Sequence, residues 1–116
     1  MVALSNRVHT YARPNSKEKL IDFFTNILGC EVLPSPVLAF AFSNGASLSV
    51  EFTEDALDER QARWGAWLEL KTDDATGLRE KVLAAGLPRV EFSGNNYFYF
   101  QAPGGQVFRI ASSDER

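Results

Sequence analysis

Hydrophobic and polar positions along this chain run through one pattern twice. In residues 7–13, Val8, Thr10 and Ala12 alternate with Arg7, His9, Tyr11 and Arg13, the period of two that sends successive strand side chains to opposite faces. Ser16, a good N-cap residue, opens a stretch in which Leu20, Phe23, Phe24, Ile27 and Leu28 fall at i, i+3, i+4, i+7 and i+8. That spacing predicts a helix with one apolar stripe, ended by Gly29. Three short strands are expected next, near 31–33, 38–43 and 47–53. An offset of 58 residues carries His9 onto Trp67, Ser16 onto Asp74, Leu20 onto Leu78 and Phe24 onto Val82, so the second half reads the same way. There Ala66, Leu68 and Leu70 alternate with Trp67, Glu69 and Lys71. A helix capped by Asp74 turns Leu78, Val82 and Ala85 inward and stops at Gly86, and further strands are expected near 90–92, 97–101 and 106–111. Each half is therefore expected to be β-α-β-β-β, an α+β chain.

Turn chemistry predicts which residues share a face. Asn44-Gly45 suits a two-residue type I′ hairpin turn, which needs positive φ at both central positions. Pairing Ser43 with Ala46 sets Phe42 opposite Ser47, Ala41 opposite Leu48 and Phe40 opposite Ser49. Leu48, Val50 and Ala41 are then expected under the helix, with Phe40, Phe42, Ser47, Ser49 and Glu51 on the other face. The Pro103-Gly104-Gly105 loop, with Gln101 paired to Gln106, gives the second half the same arrangement. Tyr99, Phe108 and Ile110 are expected under its helix, and Phe98, Phe100, Val107 and Arg109 on the far side.

Composition narrows the class. A length of 116 residues and 45% hydrophobic content suit a single domain over 1–116, made of a module at 5–53, a connector at 54–63 and a module at 64–112. The charged run Glu51 to Arg63 is expected to be a solvated connector with room for a helical turn. The longest apolar run, Val37 to Phe42, is far short of the ~20 residues a spanning helix requires, so no membrane partner is expected. Residues 1–7 carry neither a basic leader nor a long apolar stretch, and the single cysteine, Cys30, forms no internal disulfide. Both suit a cytoplasmic location. A net charge of −3 with Lys and Arg dispersed argues against nucleic acid, which requires a concentrated basic surface.

The helix endings Ile27-Leu28-Gly29-Cys30 and Leu83-Ala84-Ala85-Gly86, the strand end Lys71-Thr72-Asp73-Asp74 and the stretch Ala102-Pro103-Gly104-Gly105-Gln106-Val107-Phe108-Arg109-Ile110 occur in an order and spacing that resembles the glyoxalase/bleomycin-resistance/dioxygenase group, the vicinal oxygen chelate superfamily. The resemblance runs from about Arg7 to about Ser112. It implies two modules whose curved mixed sheets enclose a cavity with helices outside, and a homodimer. In metal-dependent members it implies four His or Glu ligands, on the first and last strands of each module, which here map onto His9, Ser49, Trp67 and Arg109. Only His9 is an ordinary ligand; Ser is a poor neutral donor, Trp offers only an N–H, and Arg carries a fixed positive charge.

The cavity face expected from these readings holds His9, Tyr11, Phe40, Phe42, Ser49, Glu51, Trp67, Glu69, Phe98, Phe100 and Arg109. Aromatic walls with a few placed polar groups suit a small organic ligand, aromatic or anionic; equally, the same aromatics fill a core. Arg109 matches a carboxylate or phosphate in two parallel hydrogen bonds, or an internal pair with Glu51 or Glu69. His9 serves as acid or base, or as a hydrogen-bonding group. No catalytic set is assigned and no cofactor is expected. The alternative is a metal-dependent lyase, isomerase or dioxygenase holding a divalent ion through His9, Glu51 and Glu69.

Overall fold

The computed structural model describes residues 1–115. The chain divides into two units, residues 1–56 and residues 57 onward, and each holds one four-stranded mixed sheet.

In the first unit, β1 (Arg7–Ala12) leads through a short 3₁₀ turn, Pro14–Ser16, into α1 (Lys17–Asp22), which continues as a π-helical turn over Phe23–Ile27. Strands β2 (Glu31–Val32), β3 (Leu38–Ala41) and β4 (Ser47–Phe52) complete it, giving the sheet order β1-β4-β3-β2. Only β1 and β4 are parallel. The parallel pair needs the intervening helix as its crossover, while β3 and β4 are joined by a hairpin.

The π-turn, in which the Leu28 N–H reaches back to the Phe23 carbonyl at 3.0 Å, departs from the expected stripe. One extra residue in the turn rotates the end of the helix relative to its start. Leu20, Phe23 and Phe24 are buried, whereas Ile27 and Leu28 are only half-buried and Cys30 enters the core instead. Gly29 ends the helix at φ +73°, a conformation that glycine adopts without steric cost.

The second unit begins with α2 (Glu59–Ala62), the helical turn within the expected connector. It is held by a capping box in which Asp58 accepts from the Gln61 N–H at 2.8 Å and the Gln61 side chain accepts from the Asp58 N–H at 3.0 Å. Then come β5 (Trp67–Thr72), α3 (Ala75–Ala84), β6 (Arg89–Val90), β7 (Phe98–Gln101) and β8 (Val107–Ser112), with sheet order β5-β8-β7-β6 and again one parallel pair, β5 with β8. Asp74 caps α3 by accepting from the Gly77 N–H at 2.9 Å. Val82 is buried as expected, but Ala85, expected inward, is exposed.

Both hairpins correct the expected register by one residue. In the first, Phe42 N–H donates to Ala46 O at 2.9 Å and Gly45 N–H to Phe42 O at 3.1 Å. The loop is therefore the three residues Ser43-Asn44-Gly45, with Gly45 alone at positive φ. This is the type I turn plus left-handed glycine that commonly closes three-residue hairpins. Phe40 pairs with Leu48 and Ala39 with Ser49. The second hairpin has the same three-residue length across Pro103-Gly104-Gly105, with both Gly104 and Gly105 at positive φ, so that Phe100 pairs with Phe108 and Tyr99 with Arg109. A slip of one reverses faces. Phe40, Phe42, Phe98 and Phe100, expected beside His9 and Arg109, lie under the helices instead. Ala41 and Tyr99, expected under the helices, lie on the opposite faces.

Contacts fix this assignment. Phe24 stacks on Phe40 with centroids 4.5 Å apart and meets Phe42 edge-on at 6.4 Å. Phe100 stacks on Phe108 at 5.8 Å, and Arg79 of α3 lies over the Phe98 ring at 5.7 Å. Among the described residues, no helix is long and apolar enough to cross a membrane.

Candidate functional site

Away from α1, the β1–β4 pair brings His9, Ser49 and Glu51 together. His9 and Ser49 are cross-strand partners, as are Tyr11 and Glu51, because the parallel register keeps odd-numbered residues of both strands on one face. His9 Nδ1 lies 2.5 Å from Ser49 Oγ, and Nε2 lies 3.0 Å from Glu51 Oε1. A carboxylate only accepts, so Nε2 carries the proton; Nδ1 of the neutral ring then accepts from the Ser49 hydroxyl. Both ring nitrogens are committed. Tyr11 meets His9 edge-on at 5.1 Å and is 59% exposed, so this cluster faces outward from the strands.

In the second unit the corresponding cluster is charged. Glu69 and Arg109 are cross-strand partners, with Nη1 of Arg109 2.5 Å from Glu69 Oε1. Nη2 of Arg109 donates to Glu115, and the guanidinium lies 3.7 Å from the centroid of the Tyr97 ring. Its side chain is only 9% exposed. Burial works against the charge, but hydrogen bonds and Coulombic attraction from Glu115 and Glu69 outweigh it and hold the pKa above the ordinary arginine value. Beside it runs a chain of edge-to-face aromatic contacts. Trp67 meets Tyr99 at 5.4 Å, Tyr99 meets Phe92 at 4.9 Å and Phe92 meets Trp64 at 6.0 Å.

The two clusters occupy equivalent rungs. His9 faces Ser49 in one sheet and Glu69 faces Arg109 in the other, so strand pairing makes Glu69, not Trp67, the counterpart of His9. The sequence repeat is offset by 58 residues; these strands are offset by 60. Because the difference is even, Trp67 remains on the same face, one rung away.

Of the site residues expected from sequence, the structure gathers His9, Tyr11, Ser49 and Glu51 in one unit and Trp67, Glu69 and Arg109 in the other. Sequence reasoning placed Tyr99 on the wrong face and gave no role to Tyr97, Phe92 or Glu115. A three-residue reading of the Pro103-Gly104-Gly105 loop would have found Tyr99. Nothing in the pattern signals Glu115, which lies in a turn three residues beyond β8.

Solved structures with the same architecture include a glyoxalase family protein from Bacillus anthracis, with 13% identity, TM-score 0.74, and coverage of 97% of this chain and 96% of that one. The chain has the glyoxalase-like fold. It is the fold of the superfamily that its sequence resembles. The fosfomycin resistance protein FosX from Mesorhizobium loti is similar at 13% identity and TM-score 0.71, covering 97% of this chain and 94% of that one. A FosX variant from Listeria monocytogenes, complexed with Mn(II) and dihydroxypropylphosphonic acid, is 15% identical with TM-score 0.73, covering 95% and 90%. At these identities the likeness is one of fold. No family model and no curated protein sequence matches the chain.

The residues on these glyoxalase-like rungs do not fit the metal that the fold family suggests. His9 has no free lone pair while Ser49 donates to Nδ1, and Glu69 is neutralised by Arg109, whose own charge repels a cation. Among the described residues, no group of three His, Cys, Asp or Glu side chains is placed to hold a metal ion.

Proposed function

We propose that this chain is a small-molecule-binding protein of glyoxalase-like fold that works without the superfamily's metal. The observation that carries this reading is the Glu69–Arg109 ion pair, which puts a buried guanidinium on the rung equivalent to His9 and Ser49. The aromatic chain through Trp67, Tyr99, Phe92 and Trp64 supports an organic ligand. Trp64 and Trp67 remain 78% and 45% exposed, leaving ring surface for stacking. The same reading keeps the protein in the cytoplasm and makes it a homodimer; light scattering on the purified chain checks the dimer.

Metal analysis and a thermal-shift panel of small aromatic compounds test it. The expected result is no stoichiometric metal and a saturable rise in melting temperature with at least one compound. For that compound, Trp67→Ala should weaken binding by about 1–3 kcal/mol, the scale for burying a large side chain. The second reading is a metal-dependent enzyme of the same fold in which His9 is a metal ligand. The Mn(II) complex of a FosX structure of the same fold favours it. Stoichiometric metal that disappears in His9→Ala would replace the first reading with the second.

A further inference from the structure

The guanidinium of Arg109 has two hydrogen-bonding edges, and they are used unequally. Nη1 is taken by Glu69 of the neighbouring strand. The side-on edge, formed by Nε and Nη2, is the one that matches both oxygens of a carboxylate or phosphonate at once. There Nη2 holds Glu115, while Nε is buried and donates to nothing among the described residues. A buried donor without a partner is costly, and native structures seldom leave one. The edge is half-filled by a side chain that engages it through one nitrogen.

Glu115 is held differently from Glu69. Glu69 belongs to β5 and is the cross-strand partner of Arg109, so the pairing of β5 with β8 keeps its backbone beside the guanidinium. Glu115 lies beyond β8, in a turn closed by its N–H on Ser112 O at 3.0 Å, and its backbone carbonyl accepts from Lys71 Nζ at 2.8 Å. Rotation of its side chain releases the edge with every strand hydrogen bond intact.

We infer that the Nε–Nη2 edge of Arg109 is the anchor for an oxyanion on the ligand, and that Glu115 is an internal stand-in which the ligand displaces. The inference rests on the small-molecule reading above and names its ligand class: a small aromatic carboxylate, or a phosphonate binding as its monoanion. Charge selects the monoanion. Exchanging the Glu115 carboxylate for a ligand carboxylate leaves the charge around Arg109 unchanged, whereas a dianion adds repulsion against Glu69. The aromatic part is set by Tyr97, already stacked on the guanidinium, and by Tyr99 and Trp67 on the same face.

Titration of the intact protein with benzoate and with phenylphosphonate, followed by calorimetry and by the Arg109 Nε–H resonance, tests the inference. Glu115→Gln removes the competing charge and should tighten binding of either probe at least tenfold. The Nε–H signal should move downfield on binding as that donor gains an acceptor. Arg109→Lys keeps the charge but loses the edge, and should abolish the gain. Equal affinity in wild type and Glu115→Gln, an unmoved Nε–H signal, or full binding in Arg109→Lys would each overturn it. An uncharged probe, indole, separates the two proposals. If indole binds while both anions fail in Glu115→Gln, the small-molecule reading stands and the anchor is wrong; if none of the three binds, both fall.

Discussion

His9 Nδ1 and Ser49 Oγ lie 2.5 Å apart across the parallel β1–β4 pair, with Glu51 3.0 Å from the other ring nitrogen. The carboxylate decides how the pair is wired. With Glu51 ionised, a neutral His9 protonated at Nδ1 would turn the Nε2 lone pair toward a negative oxygen, so the Nε2–H tautomer is favoured. Nitrogen NMR of the imidazole at alkaline pH should find the proton on Nε2. Glu51→Gln removes this bias, because the amide can either donate to Nε2 or accept from it. In the Nδ1–H tautomer the ring donates to Ser49, whose hydroxyl donates in turn to the Val8 carbonyl 3.4 Å away. A tautomer population in Glu51→Gln no different from that of the wild type would show that the charge of Glu51 does not set it.

The hairpin registers separate aromatic residues that build the core from those on the opposite faces. Phe40 is fully buried and stacked on Phe24, so Phe40→Ala should lower unfolding free energy by about 3–5 kcal/mol. Tyr11, more than half exposed on the other face, should cost less than about 1 kcal/mol when changed to Ala. Urea denaturation of the two variants measures both. Comparable losses would contradict the face assignment.

Errors in reading the sequence have consequences that depend on parity. Alternation makes the strands legible, and the glycines at 29 and 86 make the helix ends legible. His9, Ser49, Glu51, Glu69 and Arg109 fall on the expected faces because both parallel pairs keep the alternation of single strands. The repeat offset errs by two residues, which preserves the face of Trp67 and misplaces only its rung. The hairpins err by one, which reverses Phe40, Phe98, Phe100 and Tyr99. Asn44-Gly45 fits a two-residue turn and a three-residue turn equally well, and only backbone hydrogen bonding distinguishes them. The π-turn is illegible for a related reason: Phe23 to Leu28 satisfies ordinary helical spacing, so the local pattern carries no sign of the wider turn.

Equivalent loop glycines should differ in how much they tolerate a side chain. Gly45 and Gly105 both have positive φ, at +88° and +108°. A Cβ on Gly45 meets nothing within 4 Å, whereas one on Gly105 would come 2.9 Å from the Cβ of Ala62 in α2. Gly45→Ala should therefore cost only the backbone penalty, about 1 kcal/mol. Gly105→Ala adds a clash, and it strains the contact that Gln101 Nε2 makes by donating to Glu59 O at 2.5 Å and to Gly105 O at 2.9 Å. A melting temperature lowered at least twice as far by Gly105→Ala as by Gly45→Ala is the expected outcome; equal shifts would show that α2 yields freely.

Cys30, brought into the core by the π-turn, gives the protein a predictable alkaline sensitivity. Burial pushes its thiol pKa from 9.0 up to about 11, because the thiolate cannot be solvated there. Between these values the unfolded chain has released the proton and the folded one has not. The unfolded state binds fewer protons, so stability falls as pH rises through this window. Two pKa units correspond to about 2–3 kcal/mol at the upper end. The wild type should therefore lose stability between pH 9 and pH 11 faster than Cys30→Ala, whose lower starting stability lacks this slope. Denaturation curves at several pH values compare the slopes. A thiol reagent at pH 8 gives an independent check: labelling should be slow in the native protein and immediate in urea. Parallel stability profiles, or rapid native labelling, would place the thiol outside the core.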